Sequence, residues 1–237
     1  MRREVESVVL LLAGGALLRS GLDGSYTRYV RAGMLPFLLA TGLVLATVAL
    51  LELAQTLRPT DAAQQLAGHD HGSTVGWLLA APVLALLLLA PPPMGSEAAG
   101  RSGTALGSAA TTSDYPPLPD GDPVRLTVLD FASRAVFDAA DSLGQRRVTL
   151  TGFVVADRSG TRYLARMVIS CCAADARPIK VGLLGNLPRN LPADGWIEVT
   201  GRRSDRIARD PINRESIPFL QVDTVSTVPA PAHPYES

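Results

Sequence analysis

The stretch Met34–Leu57 (MLPFLLATGLVLATVALLELAQTL) limits what this chain can be more than any other. About 20 consecutive apolar residues, rising ~1.5 Å each as a helix, are needed to cross the roughly 30 Å hydrocarbon layer of a bilayer. This run meets that length with Glu52 as its one charged residue. Glu52 and Gln55 fall in its last turns, within reach of an interface. Pro36 falls in its first turn, where a missing N–H costs little. A helix so evenly apolar has no face to turn to water, so the chain is expected to be a membrane protein.

Two further segments read as spans. Val75–Ala90 (VGWLLAAPVLALLLLA) is slightly short, but Trp77 sits where an interfacial anchor belongs, and Pro91-Pro92-Pro93 ends the helix. Pro82 should bend it modestly. Val5–Leu18 is the shortest, and Gly14-Gly15 would let a neighbouring helix approach closely. Glu4 and Glu6 interrupt the passage from Arg2-Arg3 to the apolar core, and no small-x-small cleavage site is found beyond it, which argues against a signal peptide. Residues 1–93 are therefore expected to be a transmembrane region with spans near 5–20, 34–57 and 75–92. That makes a multi-pass protein of the cell membrane, embedded in the lipid bilayer. Arginines divide almost evenly between the two sides, so the positive-inside rule gives no orientation.

Beyond the spans the composition changes. Residues 94–122 are rich in Gly, Ser, Ala, Thr and Pro and read as a flexible linker. Its neutral, small-residue character favours an extracytoplasmic position for the C-terminal domain. From Asp120 onward charges recur as on a water-facing surface, and residues 123–237 read as a soluble β-rich domain. Leu126–Leu143 has helical spacing. Arg147–Ala156, Tyr163–Ser170, Ile179–Leu184, Trp196–Arg202 and Phe219–Thr227 alternate or cluster as strands, with a turn at Asp157–Gly160. Gly152 and Gly201 inside strand patterns imply bulges or tight bends. The expected fold is an α-helical membrane part of about three transmembrane helices plus a small β-rich domain, either an OB-like barrel or an α+β arrangement. The 22 basic and 22 acidic residues cancel, and the strands lack exposed aromatics interleaved with basic residues. No nucleic-acid partner is expected.

The candidate chemistry lies in Ile169-Ser170-Cys171-Cys172-Ala173-Ala174-Asp175, at the end of an expected strand and holding both cysteines of the chain. Adjacent thiols can chelate a soft ion through thiolate, cycle as a dithiol and disulfide, or fill a core. Neighbouring Cα atoms are about 3.8 Å apart, below the usual disulfide range of about 4.4–6.8 Å, so a structural disulfide is not expected. On a regular strand the two side chains would face opposite ways, so joint use requires a turn. Asp175 then either adds a carboxylate ligand or caps that turn. Zn²⁺, Cu(I) or another thiophilic ion would suit the pair. His69-Asp70-His71, between the second and third spans, is a second, weaker candidate metal site. GxSxG, Walker, GxGxxG and HExxH patterns are absent, so no enzymatic activity is expected.

The stretch GFVVADRSGTRYLARMVISCCAADARPIKV, the His-Asp-His loop before WLLAAPVLALLLLAPPPMGS and the terminal Pro-Tyr-Glu resemble a bacterial membrane family of permease subunits. Its most specific part is the Arg166-x-x-Ile169-Ser170-Cys171-Cys172-x-Ala174-Asp175-Ala176 core. The resemblance spans nearly the whole chain and implies a partner, a larger multi-spanning permease, more firmly than any activity.

Overall fold

The computed structural model describes residues 2–56, 84–85, 92–109, 115–157, 160–188 and 190–237. The chain forms two compact units, Met1–Pro92 and Pro93–Ser237.

In the first unit, α1 (Arg2–Asp23) and α2 (Leu35–Thr56) lie antiparallel, joined through two short 3-10 turns. Gly14 and Gly42 meet at their crossing. A Cβ on Gly14 would lie 2.8 Å from the Gly42 carbonyl oxygen and 2.9 Å from the Ala46 nitrogen, so only glycine lets the backbones close. Across the pair, Ser7 Oγ donates to Glu52 Oε2 at 2.9 Å, which turns Glu52 toward the neighbouring helix.

Among the described residues, Ala32–Gln55 is the one segment long and apolar enough to cross a membrane. Only 11% of that span is buried. A core helix of a soluble protein would be mostly enclosed, whereas here Phe37, Leu43, Val44, Leu50 and Leu51 are exposed. The expected count of about three spans is thus supported for one segment among the described residues. The α1 helix matches α2 at 22 residues but carries Arg2, Arg3, Glu4, Glu6, Arg19 and Asp23. The expected span over 75–92 lies almost entirely outside the described residues.

The second unit is a β-barrel. Its strands are β1 (Val124–Arg125), β2 (Val148–Ala156), β3 (Arg162–Val168), β4 (Arg177–Leu184), β5 (Trp196–Arg209), β6 (Ser216–Thr227) and β7 (Tyr235–Glu236). Strands β2 to β6 close on themselves in the order β2-β3-β4-β6-β5-β2, antiparallel except for β4 with β6. Gly201 marks a register shift between β5 and β6, where its backbone comes too near the Gln221 carbonyl for any side chain.

Inward-facing Leu150, Val154, Leu164, Ile179, Val181, Ile197, Val199 and Leu220 fill the barrel. Helix α5 (Val128–Phe137) packs into the same core through Val128, Phe131, Ala132 and Ala135, which recur at i, i+3, i+4 and i+7. The Thr127 hydroxyl starts this helix by accepting from the Asp130 N–H at 3.0 Å.

The segment expected to be a flexible linker is built into this unit over its first half. After Pro93 the chain forms two short helices, α3 (Ser96–Arg101) and α4 (Leu106–Ala109), and buries Ala99, Thr104, Ala105 and Leu106. Alanine and glycine read as loose in sequence, yet small side chains are also what lets a segment lie flush on a sheet. Ala98 and Ala99 use this freedom, packing against Phe153, Ala165, Met167 and Trp196 on the outside of the barrel.

Candidate functional site

The two cysteines sit where the β3–β4 hairpin leaves its ladder. Pairing ends at Val168↔Arg177, and the intervening loop closes through a single 3-10 turn at Ala173–Asp175. Asp175 organises it. Its carboxylate accepts from the N–H of Ser170 at 3.0 Å and of Cys171 at 2.9 Å, and its own N–H donates to the Cys172 carbonyl at 3.1 Å. This fold-back brings both sulfurs to one side, 3.7 Å apart, with Cys171 exposed and Cys172 half-buried. The turn that the sequence requires for joint use of the thiols is therefore present.

The same carboxylate sets the chemistry. A hydrogen bond from the Cys171 thiol to Asp175, reinforced by Cys172, pushes the Cys171 pKa up to about 11. Burial acts to raise Asp175, but the N–H of Cys171, the Cys171 thiol and the N–H groups of Ser170 and Cys172 outweigh it and hold its carboxyl below the ordinary range. At neutral pH Cys171 is thus a protonated thiol beside an anion, a poor nucleophile whose proton a thiophilic cation can replace.

Asp175 caps the turn, each of its carboxylate oxygens accepting a backbone N–H. Among the described residues, no group of three or more His, Cys, Asp or Glu side chains is placed to hold a metal ion. His69, Asp70 and His71 lie outside the described residues.

Two clamps flank the loop, and sequence reasoning missed both. On the entry side the C-terminal β7 adds in parallel to β3, pairing Met167 with Tyr235 and Val168 with Glu236, and the Ile169 N–H donates to the Glu236 carbonyl at 3.0 Å. The Glu236 carboxylate accepts from Val128 N–H at 3.0 Å and Leu129 N–H at 2.9 Å, at the N-terminus of α5. Arg166 Nε lies 3.4 Å from it, both side chains are nine-tenths buried, and the guanidinium stands 4.8 Å from the centre of the Trp196 ring. Burial raises the Glu236 pKa and lowers that of Arg166.

On the exit side, residues 93–109 strap the start of β4. Ala105 N–H donates to Pro178 O at 2.9 Å, and Lys180 N–H donates to Thr104 Oγ1 at 3.2 Å. Lys180 Nζ reaches Ser102 O at 2.7 Å and the fully buried Asp210 at 3.0 Å, while Asp210 also accepts from the Thr104 N–H at 2.9 Å. The one sequence signal for this clamp is that Lys180 is the sole lysine in a chain whose other basic side chains are arginine. Its partners, 76 to 78 residues upstream and 30 downstream, carry no local pattern.

A further cleft of about 430 Å³ is lined by Asp122, Gln145, Arg146, Arg147 and Arg202. Arg147 pairs with Asp122, Arg202 with Asp223, and Arg146 donates to the Pro119 carbonyl.

A barrel with an exposed dithiol turn defines the C-terminal unit. Residues 132–236 match the family model described as the DUF1980 C-terminal domain. That match takes in the barrel, the thiol loop and the terminal strand, and leaves the strap outside. No curated protein matches the chain.

Proposed function

We propose that this chain is a membrane-anchored accessory subunit of a larger permease, and that its barrel presents Cys171 and Cys172 as a two-thiolate ligand for a soft metal ion or metalloid. The observation that carries the reading is the convergence of both sulfurs, 3.7 Å apart, on an exposed turn. Two thiolates with no third side-chain ligand among the described residues suit Cu(I) better than Zn²⁺, which ordinarily takes four protein ligands in a closed site. The permease partner rests on the family resemblance, and the multi-pass, extracytoplasmic arrangement on the sequence pattern. The apolar Ala32–Gln55 helix supports anchoring. The order of the barrel strands is that of OB-like barrels, whose ligands ordinarily lie on the face corresponding to β3 and β4. Here Ala98 and Ala99 pack with Ala165 and Met167 of β3 and cover part of that face, which favours the loop over the sheet as the working surface and speaks against nucleic acid.

A thiol-redox module is the second reading, and the same short sulfur separation favours it. Against it stand the short Cα spacing of adjacent residues and a Cys171 thiol that is almost wholly protonated at neutral pH. The test is titration of the reduced full chain, in detergent, with Cu(I) held by a competing chelator. Tight binding lost by at least about tenfold in either Cys171→Ser or Cys172→Ser is expected, because both thiolates bind together. Failure to bind at micromolar free ion, or single variants that bind like the parent, would refute the ligand role. Copurification of a multi-spanning protein with the native chain tests the partner.

A further inference from the structure

The thiol loop touches the strap and the terminal strand, and these touch each other. Ala176, the last loop residue before β4, packs into the cluster formed by Ala98 and Ala99 of the strap with Phe153, Ala165, Met167 and Tyr235. Two residues on, Pro178 accepts the strap's Ala105 N–H. On the other side Ile169 hangs from Glu236, whose neighbour Tyr235 accepts the Met94 N–H through its hydroxyl at 3.1 Å. Seven residues, Ser170 to Ala176, thus stand in a frame whose movable side is the segment entering from the membrane part of the chain.

We infer that occupancy of the Cys171–Cys172 pair and docking of residues 94–101 on the barrel are coupled, so that filling the thiols changes how firmly the strap is held. This rests on reading the pair as a ligand. Bridging the sulfurs removes both thiol protons and breaks the Cys171–Asp175 hydrogen bond, leaving a carboxylate beside two thiolates. The turn that Asp175 ties to Ser170 and Cys171 must readjust, and the loop exit at Ala176 moves with it against Ala98 and Ala99. The strap divides into a firm part and a soft part. Residues 102–105 are fixed by the buried Lys180–Asp210 pair. Residues 94–101 depend on the Met94–Tyr235 bond, a Ser96 N–H bond to Asp194 and the buried Ala99, and their internal Arg101–Glu97 pair is almost fully exposed. Segments held by so few buried contacts open locally at low cost. Linkage then runs both ways: a ligand that shifts strap opening is itself bound differently when the strap is open.

The test uses the full chain in nanodiscs, reduced, with phenylarsine oxide as probe. One arsenic–oxygen group reacts with two thiols to give two arsenic–sulfur bonds and one water, with no change of oxidation state. Intact mass reports the adduct, and hydrogen exchange reports the strap. With the adduct formed, exchange over 94–101 should change by at least about threefold while the β5–β6 ladder stays constant. An adduct with unchanged strap exchange overturns the coupling and leaves the ligand reading standing. Absence of an adduct sinks the ligand reading, and the coupling is then decided in reverse. Ala99→Asp, or the milder Tyr235→Phe/Asp194→Asn should it misfold, loosens the strap, and the rate of Cys171 and Cys172 alkylation by iodoacetamide should shift by about threefold or more. An unchanged rate in a variant whose strap exchange has risen overturns the inference.

Discussion

Neutralising Asp210 alone should destabilise the barrel unit more than any other single change at the strap. Its carboxylate is fully buried and Lys180 is 7% exposed, so Asp210→Asn leaves an ammonium enclosed with no counter-charge. Removing one member of a buried pair costs about 3–5 kcal/mol. The Thr104 and Ile212 N–H groups can still bond an amide oxygen, which places the cost near the lower end, about 3 kcal/mol. For a unit of this size that is a fall of roughly 6–12 °C in Tm. Lys180→Met should cost a similar amount, because Asp210 then keeps only backbone donors. The double variant should cost less than the sum by about 1.5 kcal/mol or more, since no charge is left stranded. Thermal unfolding of the full chain, followed by Trp196 fluorescence in a Trp77→Phe background, reads all three. Burial tends to raise the Asp210 carboxyl, but the Ile212 and Thr104 N–H groups and Lys180 together hold it below 3.8. The contribution is therefore full above that value and fades as pH falls through the lower folded value. Single-variant losses under about 1 kcal/mol, or strict additivity, would show that the pair does not fix the strap.

Limited proteolysis of the full chain should yield a stable C-terminal fragment that begins no later than Ser102, and rapid cutting between Ser102 and Leu106 would contradict the strap fixed by Lys180 and Asp210. Asp175→Asn should lower the Cys171 pKa from about 11, so alkylation at pH 8 should speed up by about tenfold for each unit recovered; an unchanged rate would mean that Asp175 does not hold the thiol protonated. Gly14→Ile should separate α1 from α2, read as loss of a Ser7→Cys/Glu52→Cys cross-link in a background lacking the native cysteines; persistent cross-linking would place the contact elsewhere.

Strands were legible wherever burial alternated. Expected Arg147–Ala156 became β2 and expected Ile179–Leu184 lies within β4. The expected Trp196–Arg202 strand stopped short because the outer half of the β5–β6 ribbon, through Arg209, is stabilised by pairing with Ser216–Pro218 and not by an apolar face. Such a ribbon leaves no periodicity to read. The turn at Cys171–Cys172 was legible from stereochemistry alone, since adjacent residues on a strand face apart. The strap was misread because alanine and glycine have the same composition in a loose tether as in a segment pressed onto a sheet. What decides between them is a partner surface far along the chain, up to 141 residues away for Met94 and Tyr235, and β7 was hidden for the same reason. A two-residue strand has no pattern, and the Glu236 carboxylate finds the start of α5 across a separation of 107 and 108 residues.

Asp175 imposes opposite demands on the loop. By gathering the Ser170 and Cys171 N–H groups it makes the fold-back that brings the sulfurs together, and by accepting the Cys171 S–H it keeps that sulfur protonated. For thiol–disulfide exchange the second effect defeats the first, because exchange runs through thiolate. For a thiophilic cation the effects reinforce one another, since the arriving charge replaces the protons and is balanced by two thiolates with a carboxylate close by. A loop evolved to exchange electrons would be expected to surround its thiols with cationic groups that favour thiolate. An anionic neighbour instead sets a threshold: hard ions leave Cys171 protonated, and only an ion with enough affinity for sulfur displaces its proton. In the Cu(I) titration that threshold is read as affinity that strengthens with pH up to about 11.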